Sequence, residues 1–209
     1  ETLKGLPAGS IVVLHACCHN PTGVDLDRDR WSAVVDAVKT RGLVAFLDMA
    51  YQGFGDGIEA DAFALRLFAD SGLAFFVSSS FSKSFSLYGE RVGALSVVTL
   101  DRDETARVTS QVKRVIRTNY SNPPTHGAAI VASVLATPAL RQQWEGELAG
   151  MRNRIREMRT QLVQKLAARG VKQDFSFVTA QRGMFSYSGL NPAQVDRLRE
   201  EFGIYAIRT

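Results

Sequence analysis

Along the first hundred positions, apolar residues come in short unbroken runs; after Leu100 they recur at helical intervals. The runs at 11–18, 43–50, 75–80 and 94–100 are rich in Val, Leu, Phe and Ala and are bounded by Gly, Asp, Ser or Asn. Continuous apolar runs of this length predict strands buried on both sides, as in a parallel sheet. Between the first two runs, 31–40 places Trp31, Val34, Val35 and Val38 on one helical face, and 63–71 shows the same periodicity between the second and third. Strand–helix–strand repeats of this kind predict an α/β unit, a three-layer α/β/α arrangement around a mostly parallel sheet.

Beyond Leu100 the pattern predicts helices. Asp101 or Asp103 is placed to cap a long one running to 118, and Asn119-Tyr120-Ser121-Asn122-Pro123-Pro124 breaks it. A second helix is expected over 125–136. Trp144, Leu148, Met151, Ile155, Met158, Leu162 and Leu166 then recur at spacings of four and three, which predicts one apolar stripe with the methionines as core filler. The segments 175–177 and 184–188 are expected to be short strands, and 192–202 a final helix. The strand rhythm ends near Thr137-Pro138, so residues 1–137 are expected to be part of a large domain and 138–209 part of a smaller α+β domain. Repeats, low-complexity tracts and flexible linkers are not evident. The chain begins without Met and stops at Ile207-Arg208-Thr209, which leads to the expectation that it is part of a longer protein.

Composition narrows the classes. The 209 residues are 45% hydrophobic, enough for a substantial core, and mean hydropathy is close to zero. No apolar run has the length of a membrane span, and the polar start Glu1-Thr2-Leu3-Lys4 is not a secretory leader. The net charge of +4 comes mainly from arginines within 102–117 and 141–172. They fall between the apolar positions, as a solvated helix face should, and aromatics are not interleaved with them, so nucleic-acid binding is not expected. Cys17 and Cys18 are the only cysteines. Two neighbours make no disulfide framework and suggest a reducing compartment, the cytoplasm. Cys17-Cys18-His19 raises zinc, but the sequence has no second ligand group to complete four, so strand packing is the expected role and no metal is expected.

The chemistry gathers at the ends of the apolar runs. Lys83 lies in Ser78-Ser79-Ser80-Phe81-Ser82-Lys83-Ser84-Phe85-Ser86, just past the third strand, at the edge where open α/β sheets bind ligands. Arg91 follows eight positions on; hydroxyls and a guanidinium together suit a phosphate. Asp48 ends the second apolar run. A carboxylate there needs a cationic partner, and a protonated pyridine nitrogen would be one. Tyr51, three residues later, could hydrogen-bond a second atom of the same ring. Asn20-Pro21-Thr22-Gly23 is a turn after the first strand, and taken alone its asparagine would be only a turn residue. Together, three successive strands each deliver a polar group to one edge.

Three segments carry a resemblance: His15-Ala16-Cys17-Cys18-His19-Asn20-Pro21-Thr22-Gly23; Leu47-Asp48-Met49-Ala50-Tyr51-Gln52-Gly53-Phe54; and Ser80-Phe81-Ser82-Lys83 through Leu87-Tyr88-Gly89-Glu90-Arg91-Val92-Gly93. In order and continuously from residue 1 to 209, the chain resembles the aspartate and aromatic-amino-acid aminotransferases, fold-type-I enzymes of class I that use pyridoxal 5′-phosphate. The resemblance implies that Lys83 holds the cofactor as a Schiff base and shuttles a proton between the substrate Cα and the cofactor C4′. It implies that Asp48 keeps the pyridine nitrogen protonated, that Tyr51 and Asn20 bond the phenolic oxygen, and that Ser80, Ser82 and Arg91 hold the phosphate. It further implies that Asn20 lies at the substrate and that Arg117 reaches into a neighbouring subunit's site to pair with a substrate's distal carboxylate, making the enzyme a homodimer with shared sites. His15 either supports the ring-side network or is an ordinary core histidine; His19 and His126 receive no catalytic role.

The family's upstream half, with a Gly-rich phosphate contact and an aromatic residue stacked on the ring, is not in these residues. Nor is the arginine that grips the substrate α-carboxylate, which the family carries just beyond a segment like 205–209. These residues alone are therefore expected to be inactive. The expected reaction is transamination of tyrosine, phenylalanine and aspartate with 2-oxoglutarate and glutamate as the partner pair, and Gln181-Arg182-Gly183-Met184-Phe185-Ser186-Tyr187 looks closer to the bacterial aromatic enzymes. The alternatives are an aspartate aminotransferase proper, another reaction of the same cofactor such as a β-lyase or decarboxylase, a fragment that only folds or dimerises, and, remotely, a Schiff-base aldolase that would leave Asp48 and Arg91 without a task.

Overall fold

The computed structural model describes residues 2–208; Glu1 and Thr209, the two ends of the resemblance, lie outside the described residues. A short 3-10 turn, Thr2–Gly5, precedes β1 (Ile11–His15), α1 (Arg28–Arg41), β2 (Val44–Met49), α2 (Ile58–Asp61), α3 (Phe63–Asp70), β3 (Phe75–Ser80) and β4 (Gly93–Val98). Helices follow: α4 (Arg102–Tyr120), α5 (His126–Ala136), α6 (Pro138–Ala168), α7 (Phe177–Ala180) and α8 (Pro192–Phe202). The four strands lie side by side in chain order, β1, β2 and β3 parallel and β4 antiparallel to β3. The expected mostly parallel α/β sheet with flanking helices is what the chain forms.

Local signals set the helix ends. Asp27 begins α1 by accepting the Arg30 N–H at 2.8 Å, and Gly42 ends it at φ 60°, a conformation glycine adopts without strain. Asp101, rather than Asp103, caps α4 through the Glu104 N–H at 2.7 Å. Asn191 and Gln194 make a reciprocal capping box at the start of α8.

Alternation along the strands gives the sheet two unlike faces. Ala45, Leu47, Met49, Phe75 and Val77 are buried against Trp31, Val35 and Val38 of α1 and Ala64 and Phe68 of α3, with Phe68 edge-on to Trp31 at 6.4 Å. The other face carries Ile11, Val13, Phe46, Phe76 and Leu95, of which Ile11 is 69% and Leu95 58% exposed. Leu95 shares an apolar groove with Val108, Val112, Val115 and Tyr120 of α4, which lies over this second face.

Several expectations are corrected. The first strand stops at His15, not at 18. The Cys18 and His19 amides donate to the Asp25 carboxylate at 2.7 and 2.8 Å, and Cys18 turns to φ 55°, so the chain leaves the sheet there. The cysteines are buried, but in this loop and not in a strand. Residues 175–177 and 184–188 form no strands. Gln181 bonds both the Tyr187 N–H and carbonyl at 2.9 Å, and Arg159 takes the Gln181, Gly183 and Phe185 carbonyls, so side chains occupy the groups a ladder would need.

The apolar stripe of α6 is also different from its sequence pattern. Met151, Met158 and Leu162 are exposed, and the inward line runs through Trp144, Leu148, Arg152, Ile155 and Arg159. These arginines are not a solvated face. Arg159 is only 4% exposed, and Arg152 donates to the Gly53 carbonyl at 3.0 Å. A long helix that crosses loops rather than a sheet meets unpaired carbonyls, and guanidinium groups satisfy them better than methionine.

Candidate active site

The register β1–β2–β3 aligns His15, Asp48 and Ser78 in one row on the sheet face opposite the core. The row lies toward the carboxyl ends of the three parallel strands, so polar side chains stand on the edge where the loops of an α/β sheet converge. Asp48 is half-buried and accepts a hydrogen bond from Ser78 Oγ at 3.1 Å. Among the described residues no lysine or arginine forms an ion pair with it. An anion so placed can hold a cationic ring atom of a bound group.

Tyr51 lies just past the end of β2. It is 4% exposed, and its hydroxyl accepts from Asn20 Nδ2 at 3.2 Å. Lys83 Nζ stands 4.7 Å from the centre of the Tyr51 ring, and the Phe185 ring meets Tyr51 edge-on at 5.7 Å. The cation over an aromatic face is an attractive arrangement, and it keeps the amine in the site without a carboxylate to neutralise it. Asn20, Tyr51 and Lys83, three residues read from sequence, thus meet through these contacts, and Asp48 stands at the end of β2, the strand that leads into Tyr51.

The hydroxyl and guanidinium set lies beside them. The Ser80 hydroxyl accepts the Ser82 N–H at 3.3 Å; Ser80 is half-buried and Ser82 is buried. Phe81 N–H donates to the Val92 carbonyl at 3.2 Å, and Ser80 is paired with Gly93, which brings Arg91 alongside Ser80–Ser82. Arg91 is exposed, has φ 52° and donates to the Tyr88 carbonyl at 3.1 Å. Cys18 and Ser86 are likewise left-handed at 55° and 56°. Non-glycine residues in that region cost free energy, and here they mark the three loops that carry Asn20, Lys83 and Arg91.

Arg117 is not brought to this group. It sits exposed in the last turn of α4, where its guanidinium donates to Ser121 Oγ. His15 and His19 rings meet edge-on at 4.9 Å; His19 Nδ1 is also 2.7 Å from Thr22 Oγ1, and exposed His126 faces Glu90 at 3.0 Å.

Sequence reading missed the residues that hold the loops. Asp61 is buried and accepts the N–H groups of Gly53, Gly55 and Asp56 at 2.8, 2.9 and 2.7 Å, fixing the loop after Tyr51. Burial pushes its pKa up from the ordinary carboxylate value, and backbone N–H groups, those of Gly55 and Gly53 first, pull it back. Its carboxylate also lies by both thiols, the three ligand atoms all within 4.8 Å of one another. The hydrogen bond between the two thiols, and then burial, push Cys17 up. Trp144 of α6 donates from Nε1 to the Ser84 carbonyl at 2.7 Å and stacks on Phe85 at 4.4 Å, which anchors the lysine loop. Gly53 has φ 95°, and a Cβ there would lie 2.3 Å from a Leu148 methyl. A run of glycines after the tyrosine was the one available signal of so close an approach.

A sequence model of the family described as Aminotransferase class I and II matches residues 1–209, the whole chain. The chain belongs to this aminotransferase family. It is 72% identical over 209 residues to a Pseudomonas aeruginosa protein named aspartate aminotransferase, covering all of this chain and 52% of that one. It is 56% identical over 206 residues to the Escherichia coli aromatic-amino-acid aminotransferase, covering 99% of this chain and 52% of the relative. Among solved structures, the aromatic-amino-acid aminotransferase of Burkholderia pseudomallei, covalently bound to pyridoxal phosphate, superimposes with a TM-score of 0.97 at 70% identity, over 99% of this chain and 52% of that one. The chain spans about half the length of the relatives it matches. Both substrate names occur at similar identity, so the comparisons do not sort this aminotransferase chain as aspartate or aromatic.

Proposed function

We propose that the protein carrying this chain transfers amino groups between amino acids and 2-oxo acids, with pyridoxal 5′-phosphate bonded to Lys83. The observation that carries the reading is the convergence of Lys83, Tyr51 and Asn20 at the carboxyl end of the sheet, with Asp48 at the end of the strand that leads into Tyr51 and without an ion-pair partner among the described residues. The residues fit the cofactor: a carboxylate for a ring nitrogen, a phenol and an amide for the ring oxygen, hydroxyls and a guanidinium for the phosphate. When bound, the cofactor supplies a ring that delocalises the electron pair left on a substrate Cα. Asp48 holds the proton on the ring nitrogen, Tyr51 and Asn20 orient the ring through its phenolic oxygen, and Ser80, Ser82 and Arg91 fix the phosphate. Lys83 would hold the cofactor covalently and, as a free amine, would move the proton at the substrate Cα.

Both aspartate and aromatic amino acids are proposed donors, with 2-oxoglutarate and glutamate as the partner pair. A homodimer with shared sites is proposed because Arg117 is exposed at the end of α4, bonded to Ser121, and the adjoining α4 surface carries apolar residues, with Val115 56% and Tyr120 54% exposed. Residues 1–137 and 138–209 are proposed as parts of a large and a small unit, and the cytoplasm as the compartment. No helix among the described residues is long and apolar enough to cross a membrane. Incubating the full-length protein with pyridoxal phosphate, 2-oxoglutarate and aspartate or tyrosine should form glutamate and the matching 2-oxo acid in equal amounts. Carbon dioxide, or ammonia with pyruvate, formed in place of glutamate would assign a decarboxylase or a β-lyase.

A further inference from the structure

Arg159 is a buried cation that the proposed chemistry does not use. It is 4% exposed, and among the described residues it forms no ion pair with a carboxylate. Burial pulls its pKa below the ordinary guanidinium value, as expected for a guanidinium held by neutral groups. Among the described residues its hydrogen bonds go to one segment: Nε to Ser186 Oγ at 2.9 Å, Nη1 to the Gln181 carbonyl at 2.8 Å, and Nη2 to the Gly183 and Phe185 carbonyls at 2.7 and 2.5 Å. Four acceptors arranged around one planar fork pin the path of a segment that has no regular secondary structure of its own.

That segment is pressed against the loops of the candidate site. Arg182 N–H donates to the Gly23 carbonyl at 2.8 Å, and a Cβ on Gly23 would come within 2.9 Å of Gln181 Cβ. Gly183, at φ 85°, lies so close to Cys18 that a Cβ would sit 2.6 Å from the Cys18 Cβ. Phe185 then meets the Tyr51 ring. The segment therefore touches both sides of the Asn20–Tyr51 pair: the 18–23 turn that carries Asn20, and Tyr51 itself.

We infer that Arg159 is a positioning residue, which holds 181–186 as a clamp on the Asn20–Tyr51 pair and so sets the orientation of the phenol toward the cofactor. This deepens the proposed function and rests on it. Arg159 touches no reacting atom; it acts through Phe185 on Tyr51 and through Gly183 and Arg182 on the 18–23 turn. Loss of a local staple is felt only within 181–187, whereas loss of the clamp is felt in the 18–23 turn and at the cofactor.

The test uses Arg159→Met, which keeps the stem and removes the donors, and Arg159→Lys, which returns one donor group. In the cofactor-free full-length protein, Arg159→Met should speed amide hydrogen exchange about tenfold both in 181–187 and in 18–23. In the cofactor-loaded protein it should shift the pH titration of the cofactor absorbance and lower kcat about 10- to 100-fold with a smaller change in KM, as a misplaced group does. Arg159→Lys should fall between. Faster exchange confined to 181–187, with the titration and kcat of the unmodified protein, would reduce Arg159 to a staple and overturn the inference. Should Arg159→Met fail to fold, Phe185→Leu decides: a shifted titration in a folded protein supports the clamp, and an unchanged one overturns it. A protein that takes up no pyridoxal phosphate would instead sink the proposed function, while the cofactor-free exchange experiment would still decide whether the clamp exists.

Discussion

Asp48→Ala is expected to leave pyridoxal phosphate bound to the full-length protein and to slow turnover on the order of 10³-fold or more. The cofactor would still have its covalent link to Lys83 and the phosphate contacts of Ser80, Ser82 and Arg91. What it would lose is the anion that keeps its ring nitrogen protonated, and a preorganised charge of this kind is worth several kcal/mol at a transition state. The surroundings of Asp48 differ from those of a carboxylate that only holds a loop. Asp61, which is one, is buried and filled by three backbone N–H groups, whereas Asp48 is half-buried with a single serine hydroxyl bonded to it. Turnover close to that of the unmodified protein would place Asp48 with Asp61 and remove it from the chemistry.

Arg117→Leu should cut kcat/KM for aspartate and glutamate by about 2–4 kcal/mol, the cost of removing one side of a poorly solvated charged pair. Tyrosine and phenylalanine have no second carboxylate, so their turnover should fall far less and the aromatic-to-acidic ratio should rise. Arg117 is exposed at the end of α4 and, among the described residues, bonded to Ser121, a position from which the proposed second subunit could be reached. Mixing Arg117→Leu subunits with Lys83→Ala subunits separates the two ideas. In the heterodimer, one site keeps its lysine and receives an arginine from the other subunit, so aspartate activity should return. No return, or an equal loss for both substrate classes in the single variant, would show that Arg117 is not the cross-subunit selector.

The part of the site legible in sequence is the part built by strand ends. Asn20, Asp48 and Lys83 each follow an apolar run, and three parallel strands in consecutive order bring those ends together whatever else the chain does. Tyr51 was legible through its distance from Asp48. The supports were not. Trp144 reaches Ser84 across 60 residues, Arg152 reaches Gly53 across 99, and Phe185 meets Tyr51 from the far end of the chain. Periodicity reports which face of a helix is apolar, and α6 instead turns Arg152 and Arg159 inward to serve loop carbonyls. For the same reason 184–188 looked like a strand: its Phe and Tyr fit one, but its backbone partners are the side chains of Arg159 and Gln181. The overlong first strand has a similar origin, because Cys17 and Cys18 are as buried as strand residues while Asp25 has already claimed the backbone.

The most direct test is chemical. The full-length protein, loaded with pyridoxal phosphate, is reduced with borohydride and digested, and the peptide bearing the pyridoxyl group is sequenced. The label should lie on Lys83, the amine held over the Tyr51 ring. A pyridoxyl group on Lys4, Lys39 or Lys113, or on no lysine of this chain, would contradict the account.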